Sequence, residues 1–194
     1  MASAEDHVPS IRRIQSKSLI RALRRRPDGE QLLDASGLDI EAISTGFDFS
    51  WVRMAEHDAL TTTVLKALGT KAYAELWVNV FTGSLSQKFL SGFTQFLTPL
   101  AGGSVVPLAR RSPRVYEHLT RACGSMAWQQ HPNGGRLVLD RFPADLDLEA
   151  WALSNLGSLQ AGALHLGRSR ETVQLEGFDV EARTAAFSIY DDAG

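Results

Sequence analysis

The stretch WALSNLGSLQAGALHLG, residues 151–167, predicts a helix with two different faces. One face has apolar side chains at helical spacing, and we expect it to pack on the core. Its residues are Ala152, Leu156, Leu159, Ala163 and Leu166. The other face, called the bare face below, has mostly small side chains, so another backbone could approach it closely. We interpret it as a candidate interface with a neighbouring element or a second subunit, formed by Ser154, Ser158, Ala161, Gly162 and His165.

The segments on both sides of this helix alternate between apolar and polar residues, which is typical of strands. SMAWQQ and RLVLDRF flank the sequence HPNGG, in which Asn133-Gly134 predicts a tight turn. ETVQL and RTAAFSIY alternate again after the helix. The order strand, strand, helix, strand, strand predicts a four-stranded antiparallel sheet within residues 124–192.

Residues 10–123 have mainly helical periodicity, and residues 1–9 are expected to be disordered. In HDALTTTVLKALG, apolar residues recur at helical spacing and Gly69 is placed to end the helix. Phe89, Phe93 and Phe96 come next as an aromatic ridge. The sequence therefore predicts an α+β fold in one domain, 1–194, with an N-terminal helical layer packed on the four-stranded sheet.

The helix before the predicted hairpin contains two prolines, in VVPLARRSPRVYEHLTRACG. Proline removes a backbone donor, so we expect a broken helix. Its inward-facing residues are predicted to be Val115, Leu119 and Ala122.

The composition is that of an ordinary globular protein, with 194 residues, 44% hydrophobic and 22% charged. A net charge of −2 gives no overall field for nucleic acid or membrane. The single cysteine, Cys123, fits a reducing compartment and leaves no set of thiolates for structural zinc within one chain. No apolar run reaches membrane-helix length and no signal peptide is recognisable, so we expect a cytoplasmic protein.

The sequence lacks the common catalytic motifs, since it has no P-loop, GxGxxG, HExxH, GxSxG or CxxC. The five histidines have no metal-ligand spacing. We therefore expect no catalytic site and no metal. The basic segment from Arg12 to Arg26 could bind an anion, but no interleaved aromatic residues supply stacking, so we expect no nucleic-acid partner.

The helix of residues 151–167 also carries a family resemblance. It reads aromatic-x-x-Ser-x-x-Gly-x-Leu-x-x-Gly and is followed by LGRSRETVQLEGFDVEARTAAFSIYD. This half resembles the superfamily that holds haem-NO-binding sensor domains, four-vinyl-reductase-type domains and TRAPP trafficking subunits. From SKSLIRALR onward, the chain more closely resembles an uncharacterised bacterial family assigned to the same superfamily.

In the haem-binding branch, the resemblance implies an axial histidine on the helix before the hairpin, and His118 lies there. The Tyr-x-Ser-x-Arg motif that holds haem propionates in that branch is absent. The corresponding stretch reads LVLDRFP, which leaves Arg141 as the basic candidate. The two haem carboxylates would lack charge partners, so we expect no cofactor and hold haem as the less favoured possibility.

In the resembling folds, small apolar ligands sit between the helical layer and the sheet. The candidate pocket residues are Phe93, Tyr116, His118, Met126, Trp128, Arg141 and Trp151. The resemblance implies a regulatory or sensory module that binds a small apolar ligand or a partner protein and signals through a homodimer or partner surface. The alternative is a protein–protein scaffold or adaptor with a filled core and no ligand.

Overall fold

The computed structural model describes residues 8–85 and 104–190. The expectations for residues 1–7, for the aromatic ridge and for Phe93 within it therefore lie outside the described residues. The elements of the N-terminal half are β1 Ser10–Arg12, α1 Arg13–Leu23, α2 Gly29–Ala35, α3 Ile40–Thr45, β2 Trp51–Arg53, α4 Met54–Leu85, α5 Val106–Leu119 and β3 Thr120–Arg121. Those of the C-terminal half are β4 Ser125–His131, β5 Gly134–Asp140, α6 Leu148–His165, a 3-10 helix Arg170–Thr172, β6 Val173–Asp179 and β7 Thr184–Tyr190.

The C-terminal half contains the predicted four-stranded antiparallel sheet, in the order β4-β5-β7-β6. The predicted α+β architecture is thereby confirmed. The turn assignment was wrong by one residue, because His131 pairs with Gly134 and leaves Pro132-Asn133 as the turn. Gly134 belongs to β5, where a Cβ would lie 2.0 Å from the Ile189 backbone oxygen on β7. Glycine is therefore needed here because β5 and β7 approach closely, and not because of the turn.

A second, three-stranded antiparallel sheet in the order β2-β1-β3 was not predicted. These strands add to the helices that were predicted for residues 10–123. These strands have only two or three residues each, which is too short for an alternating pattern to show in the sequence.

Helix α5 is continuous, which corrects the expectation of a broken helix. Pro107 lies in the first turn, where the missing backbone donor is not needed, and Pro113 lies inside the helix. The predicted inward face is also corrected. The buried side chains of α5 are Val106, Ala109 and Tyr116, whereas Ala122 is exposed with a φ of 51°.

Two hydrophobic cores share helix α6. One core lies between α6, α5 and the four-stranded sheet, and the other lies between α6, α4 and the short N-terminal helices. Leu156 of α6 packs against both cores. The helices α4 and α6 are close at Gly157, where a Cβ would lie 2.6 Å from the Trp77 Cβ and 2.9 Å from the Ala74 backbone oxygen.

Helix α4 is interrupted at Gly69, whose φ of 74° and ψ of 164° are not helical. The sequence placed a helix end at this residue because glycine tolerates a positive φ. Within the described residues, no helix is long and apolar enough to cross a membrane.

We predict that Gly157→Ala destabilises the protein by about 1–3 kcal/mol, because the added Cβ has no room against α4. Thermal unfolding followed by circular dichroism would measure this as a lower melting temperature. Gly83→Ala in α4 is the matched control, since a Cβ there meets nothing within 4 Å and alanine favours a helix. Equal melting of the two variants would contradict the close approach of α4 and α6.

Candidate functional site

The first turn of α6 is fixed by Asp147. One Asp147 carboxylate oxygen accepts from the Ala150 backbone N–H at 3.0 Å, and the other accepts from the Thr62 hydroxyl at 3.2 Å. The Asp147 backbone N–H donates to the Asp58 carboxylate at 2.9 Å. Since Asp58 and Thr62 lie on α4, the starts of the two helices are held together. Burial raises the pKa of Asp58 above its ordinary value.

Trp151 on α6 is the centre of a buried group of rings. Its ring stacks on Phe142 with centroids 5.8 Å apart, and it meets Tyr116 at 6.2 Å and His57 at 6.1 Å edge-on. His57 in turn meets Trp77 edge-on at 6.0 Å. These five residues are called the aromatic cluster below. The cluster connects the two cores, because Trp151 belongs to one and Trp77 to the other.

Tyr116 has its hydroxyl fully engaged. The hydroxyl donates to the Cys123 backbone oxygen at 2.6 Å and accepts from the Trp151 indole N–H at 3.3 Å. Burial raises the pKa of Tyr116, so the hydroxyl stays protonated at neutral pH. Burial also raises the pKa of the Cys123 thiol to about 11, which leaves it unreactive as a nucleophile.

His57 has one ring nitrogen engaged and one unpartnered. Its Nδ1 lies 2.9 Å from the Ser16 hydroxyl oxygen, and its side chain is buried. Burial lowers the pKa of His57 to about 4, so the imidazole is neutral at neutral pH. Within the described ranges, Nε2 is buried and has no hydrogen-bond partner. A neutral imidazole therefore has an unused donor or acceptor inside the protein.

The indole N–H of Trp77 is in a similar position. It is buried without a hydrogen bond of normal geometry to any described residue, although it lies near the Tyr73 hydroxyl. That hydroxyl donates instead to the Ala150 backbone oxygen at 3.1 Å. A buried polar group without a partner costs about 1–3 kcal/mol, so such groups commonly mark a water or ligand position.

The structure brings three of the predicted pocket residues into one core. Tyr116 and Trp151 belong to the aromatic cluster, and Met126 of β4 is buried in the same core. Trp128 packs only partly against it, and its indole N–H donates to the Gln130 side chain at 3.2 Å. The described part of the predicted pocket is therefore centred on Trp151.

Two predicted pocket residues lie away from this core. His118 is exposed near the end of α5, on a different side of the helix from Tyr116. Arg141 is also exposed, with 78% of its side chain accessible, and it pairs with Asp140 at 3.1 Å. Their placement in the pocket is corrected for this reason. A helix directs Tyr116 and His118 to different sides, since residues two apart do not share a face.

The bare face of α6 is covered largely by the chain itself. Ser154, Ala161 and Gly162 are buried, Ser158 is half-buried and His165 is exposed. A Cβ on Gly162 would lie 2.5 Å from the Leu108 side chain of α5. Small residues here let α6 meet neighbouring helices, so most of this face is not accessible to a second subunit.

A shallow groove of about 390 Å³ lies at the turn end of the β4–β5 hairpin, beside Arg136, Glu176, Ser188 and Tyr190. The carboxylate in this groove, that of Glu176, already has hydrogen-bond partners. Glu176 accepts from Arg136 at 2.7 Å and from the Ser188 hydroxyl at 2.5 Å, and the Ser188 bond is the main cause that lowers the pKa of Glu176. The aromatic cluster, with its unpartnered nitrogen, is the stronger candidate site.

The structure describes no group of three or more His, Cys, Asp or Glu side chains that could hold a metal ion in residues 8–85 and 104–190. Sequence reasoning missed His57, although a signal was present. His57 extends the apolar stripe of Leu60, Val64 and Leu68 by one helical turn. A titratable residue on an inward face indicates burial.

No protein-family model and no curated protein sequence matches the chain. Two of the solved structures that resemble it cover nearly the whole fold. One is an alanine-to-glycine mutant of an Fe(II) unliganded H-NOX protein from K. algicida, with 10% sequence identity, a TM-score of 0.63, and 95% of this chain and 98% of that chain covered. The other structure comes from work on modulating haem redox potential through protein-induced porphyrin distortion, with 12% identity, a TM-score of 0.59, and 91% and 97% covered.

At these identities the likeness shows a shared fold. The resemblance to haem-NO-binding domains is confirmed at that level. The resemblances to four-vinyl-reductase-type domains, to TRAPP subunits and to the bacterial family stay predictions.

We predict that the stability of the protein falls between pH 6.5 and pH 4 because of His57. The unfolded chain takes up a proton near pH 6.5 and the folded chain only near pH 4, so the contribution of neutral His57 is complete above pH 6.5 and is lost as the pH falls. The loss is about 1.4 kcal/mol per pH unit. Urea unfolding across this range would measure it.

His57→Phe should flatten this pH dependence, whereas His118→Gln, which changes an exposed histidine, should leave it unchanged. The carbon-13 chemical shifts of the wild-type imidazole give the pKa directly, even if a variant folds poorly. A His57 pKa near 6.5 in the folded protein would contradict this account.

Proposed function

We propose that this protein is a non-catalytic regulatory module that senses a small, mainly apolar molecule with one hydrogen-bonding group. The observation that carries the proposal is His57 Nε2, a buried ring nitrogen without a partner among the described residues. The surrounding rings of the aromatic cluster supply an apolar environment. Such a setting binds ligands through shape and one or two placed polar groups.

The position of the aromatic cluster supports a sensory rather than a storage role. A ligand at His57 would have to separate the ring of His57 on α4 from that of Trp151 on α6. These two helices are in close contact at Gly157. Interiors are packed tightly, so even a small molecule there would change how the two helices meet. Ligand binding would thus be converted into a change in helix packing that a partner protein could detect.

We propose a non-catalytic role because the described reactive side chains of the core are already hydrogen-bonded. The Tyr116 hydroxyl is bonded on both sides, and the Cys123 thiol donates to the Arg121 backbone oxygen at 3.1 Å. Neither group has the lowered pKa of an activated nucleophile or base.

We first considered haem as the ligand, because the two similar structures reported above concern H-NOX or haem. The residues that the sequence suggested for it do not fit. His118 is exposed, the buried polar side chain of that helix is the fully bonded Tyr116, and Arg141 is paired with Asp140 at the surface. We therefore propose a ligand other than haem.

Cyclohexanone is predicted to raise the melting temperature more than methylcyclohexane, which has a similar shape but no acceptor. At a concentration of 100 times its Kd, a ligand stabilises by about 2.7 kcal/mol, or roughly 5–10 °C for a protein of this size. Acetophenone, a second ketone, and free indole, which has a donor but no carbonyl acceptor, are further test compounds. The Trp77 indole proton signal in NMR spectra should shift with the ketones only.

His57→Phe is expected to remove the preference for the ketone while leaving the fold intact, because phenylalanine is similar in shape and lacks ring nitrogens. Trp128→Phe, at the edge of the core, is the matched aromatic control. If no compound moves the Trp77 signal or the melting temperature, and no small molecule co-purifies, the scaffold alternative with a filled core is favoured.

Haemin titration should produce no Soret band that depends on His118. Wild-type protein and His118→Ala should give the same absorbance spectrum, since the side chain lies outside the core. A stable Soret band that His118→Ala abolishes would contradict the structural assignment and restore the haem-sensor interpretation.

A further inference from the structure

We propose that the outer face of the three-stranded sheet is a docking surface for an acidic segment of a partner protein. Directly opposite residues of neighbouring strands share a face of a sheet, and residues two apart on one strand do so too. Ser10 pairs with both Arg53 and Arg121, and Arg12 pairs with Trp51. One face of this small sheet therefore carries three arginines and a tryptophan.

Two of the three arginines on this face are held in place by Trp51. The Arg12 guanidinium carbon lies 3.8 Å from the Trp51 ring centroid, and that of Arg121 lies 4.2 Å from it. Arg12 also donates to the backbone oxygens of His118 and Phe49. Two positive charges are thus fixed close together, and this arrangement favours the binding of an anionic group. Burial and the Arg121 charge accordingly lower the pKa of Arg12.

Arg53 is exposed at the end of β2, and its side chain makes no ion pair or hydrogen bond with any described residue. Because its side chain is unpaired and shares the face with two fixed guanidinium groups, Arg53 extends the positive face. Guanidinium groups bind carboxylates in a paired geometry that lysine does not offer.

Phe47 adds an apolar contact next to this face. It is 72% exposed, although its ring packs edge-on against Phe49 at 5.7 Å, and the Phe49 backbone oxygen accepts from Arg12. The loop that carries Phe47 is firmly anchored. Lys17 binds the Gly46 backbone oxygen at 3.0 Å and Asp48 at 2.5 Å.

The loop has a second anchor in Arg13, which donates to the Ser50 hydroxyl at 2.7 Å and to the Ala42 backbone oxygen at 2.7 Å. Phe47 is thereby held as an exposed aromatic side chain beside the arginines of this face. Aromatic and arginine side chains dominate the binding energy at protein interfaces. The docking surface consists of Arg12, Phe47, Trp51, Arg53 and Arg121.

A protein partner fits this surface better than nucleic acid or membrane. Nucleic acid without sequence preference is bound by successive exposed rings, but Trp51 has guanidinium groups over its ring, which leaves Phe47 as the strongly exposed ring of the surface. The net charge of −2 does not attract a polyanion as a whole. A local acidic segment with an apolar side chain matches both the arginines and Phe47.

The test uses the full chain labelled with nitrogen-15 and a synthetic ten-residue peptide of glutamates with two central leucines. The Trp51 indole signal, assigned with Trp51→Phe, should shift on titration and yield a Kd. The same peptide with glutamine in place of glutamate should bind at least about tenfold more weakly, because the paired charges are lost. Added salt should weaken binding of the acidic peptide.

Matched variants separate this surface from general attraction. Arg53→Glu should raise the Kd about tenfold, and Phe47→Ala should raise it about fivefold. Two control variants should change the Kd by less than about twofold. Arg25→Glu makes an equal charge change at an exposed position just beyond the opposite end of α1, and Phe178→Ala removes an exposed phenylalanine of β6.

Equal effects of Arg53→Glu and Arg25→Glu would overturn the proposal, as would equal effects of Phe47→Ala and Phe178→Ala. Tighter binding of a deoxythymidine oligonucleotide or of phosphatidylserine vesicles at the Trp51 signal would assign the surface to nucleic acid or membrane instead. These experiments do not involve the core, so their failure leaves the ligand-sensing proposal to be judged by its own test.

Discussion

The close approach of α4 and α6 at Gly157 is the constraint on which the rest of the structure depends. A Cβ at this position would lie 2.6 Å from the Trp77 Cβ, so a larger residue would separate the helices. Because the helices touch, α6 is buried on two sides, one in each core. A helix buried in this way cannot carry charged side chains, which explains why residues 151–163 contain none.

Most polar groups where the two cores meet have hydrogen-bond partners, but two described ring nitrogens do not, the Trp77 indole N–H and His57 Nε2. Asp147 and Asp58 are satisfied by backbone and hydroxyl donors, and the Tyr116 hydroxyl is bonded on both sides. His57 stays neutral because burial disfavours its charged form, and its Nε2 is left unpartnered among the described residues. A structural role alone would be filled more stably by an apolar residue of the same shape, which makes His57 the residue that most needs a functional explanation.

Periodicity and helix-end signals were sufficient to predict the larger elements of the fold. Alternation indicated the four strands of the larger sheet, and the spacing in residues 151–167 indicated α6. Other features depend on contacts that no local pattern contains. The two-residue and three-residue strands of β1, β2 and β3 are defined by their partners, so they could not be seen. Trp51 and Arg12 are 39 residues apart in the chain, so nothing in the sequence indicated that the basic segment has an aromatic neighbour in the fold. His118 was wrongly predicted to face the pocket, because the resemblance indicated which helix carries it but not which side of that helix faces the core.

The two proposed sites are connected by short segments of the chain. Arg12 of the docking surface lies four residues before Ser16, the hydrogen-bond partner of His57, and Arg53 lies four residues before His57 itself. The backbone joins the same two segments, because the Met54 N–H donates to the Pro9 oxygen at 2.8 Å. Displacement of the His57 ring by a ligand would therefore act on the first turns of α1 and α4, and both turns continue directly into strands of the docking surface. Coupling through packed, hydrogen-bonded elements of this kind requires no hinge, so a change in core packing could alter the spacing of the arginines that meet a partner.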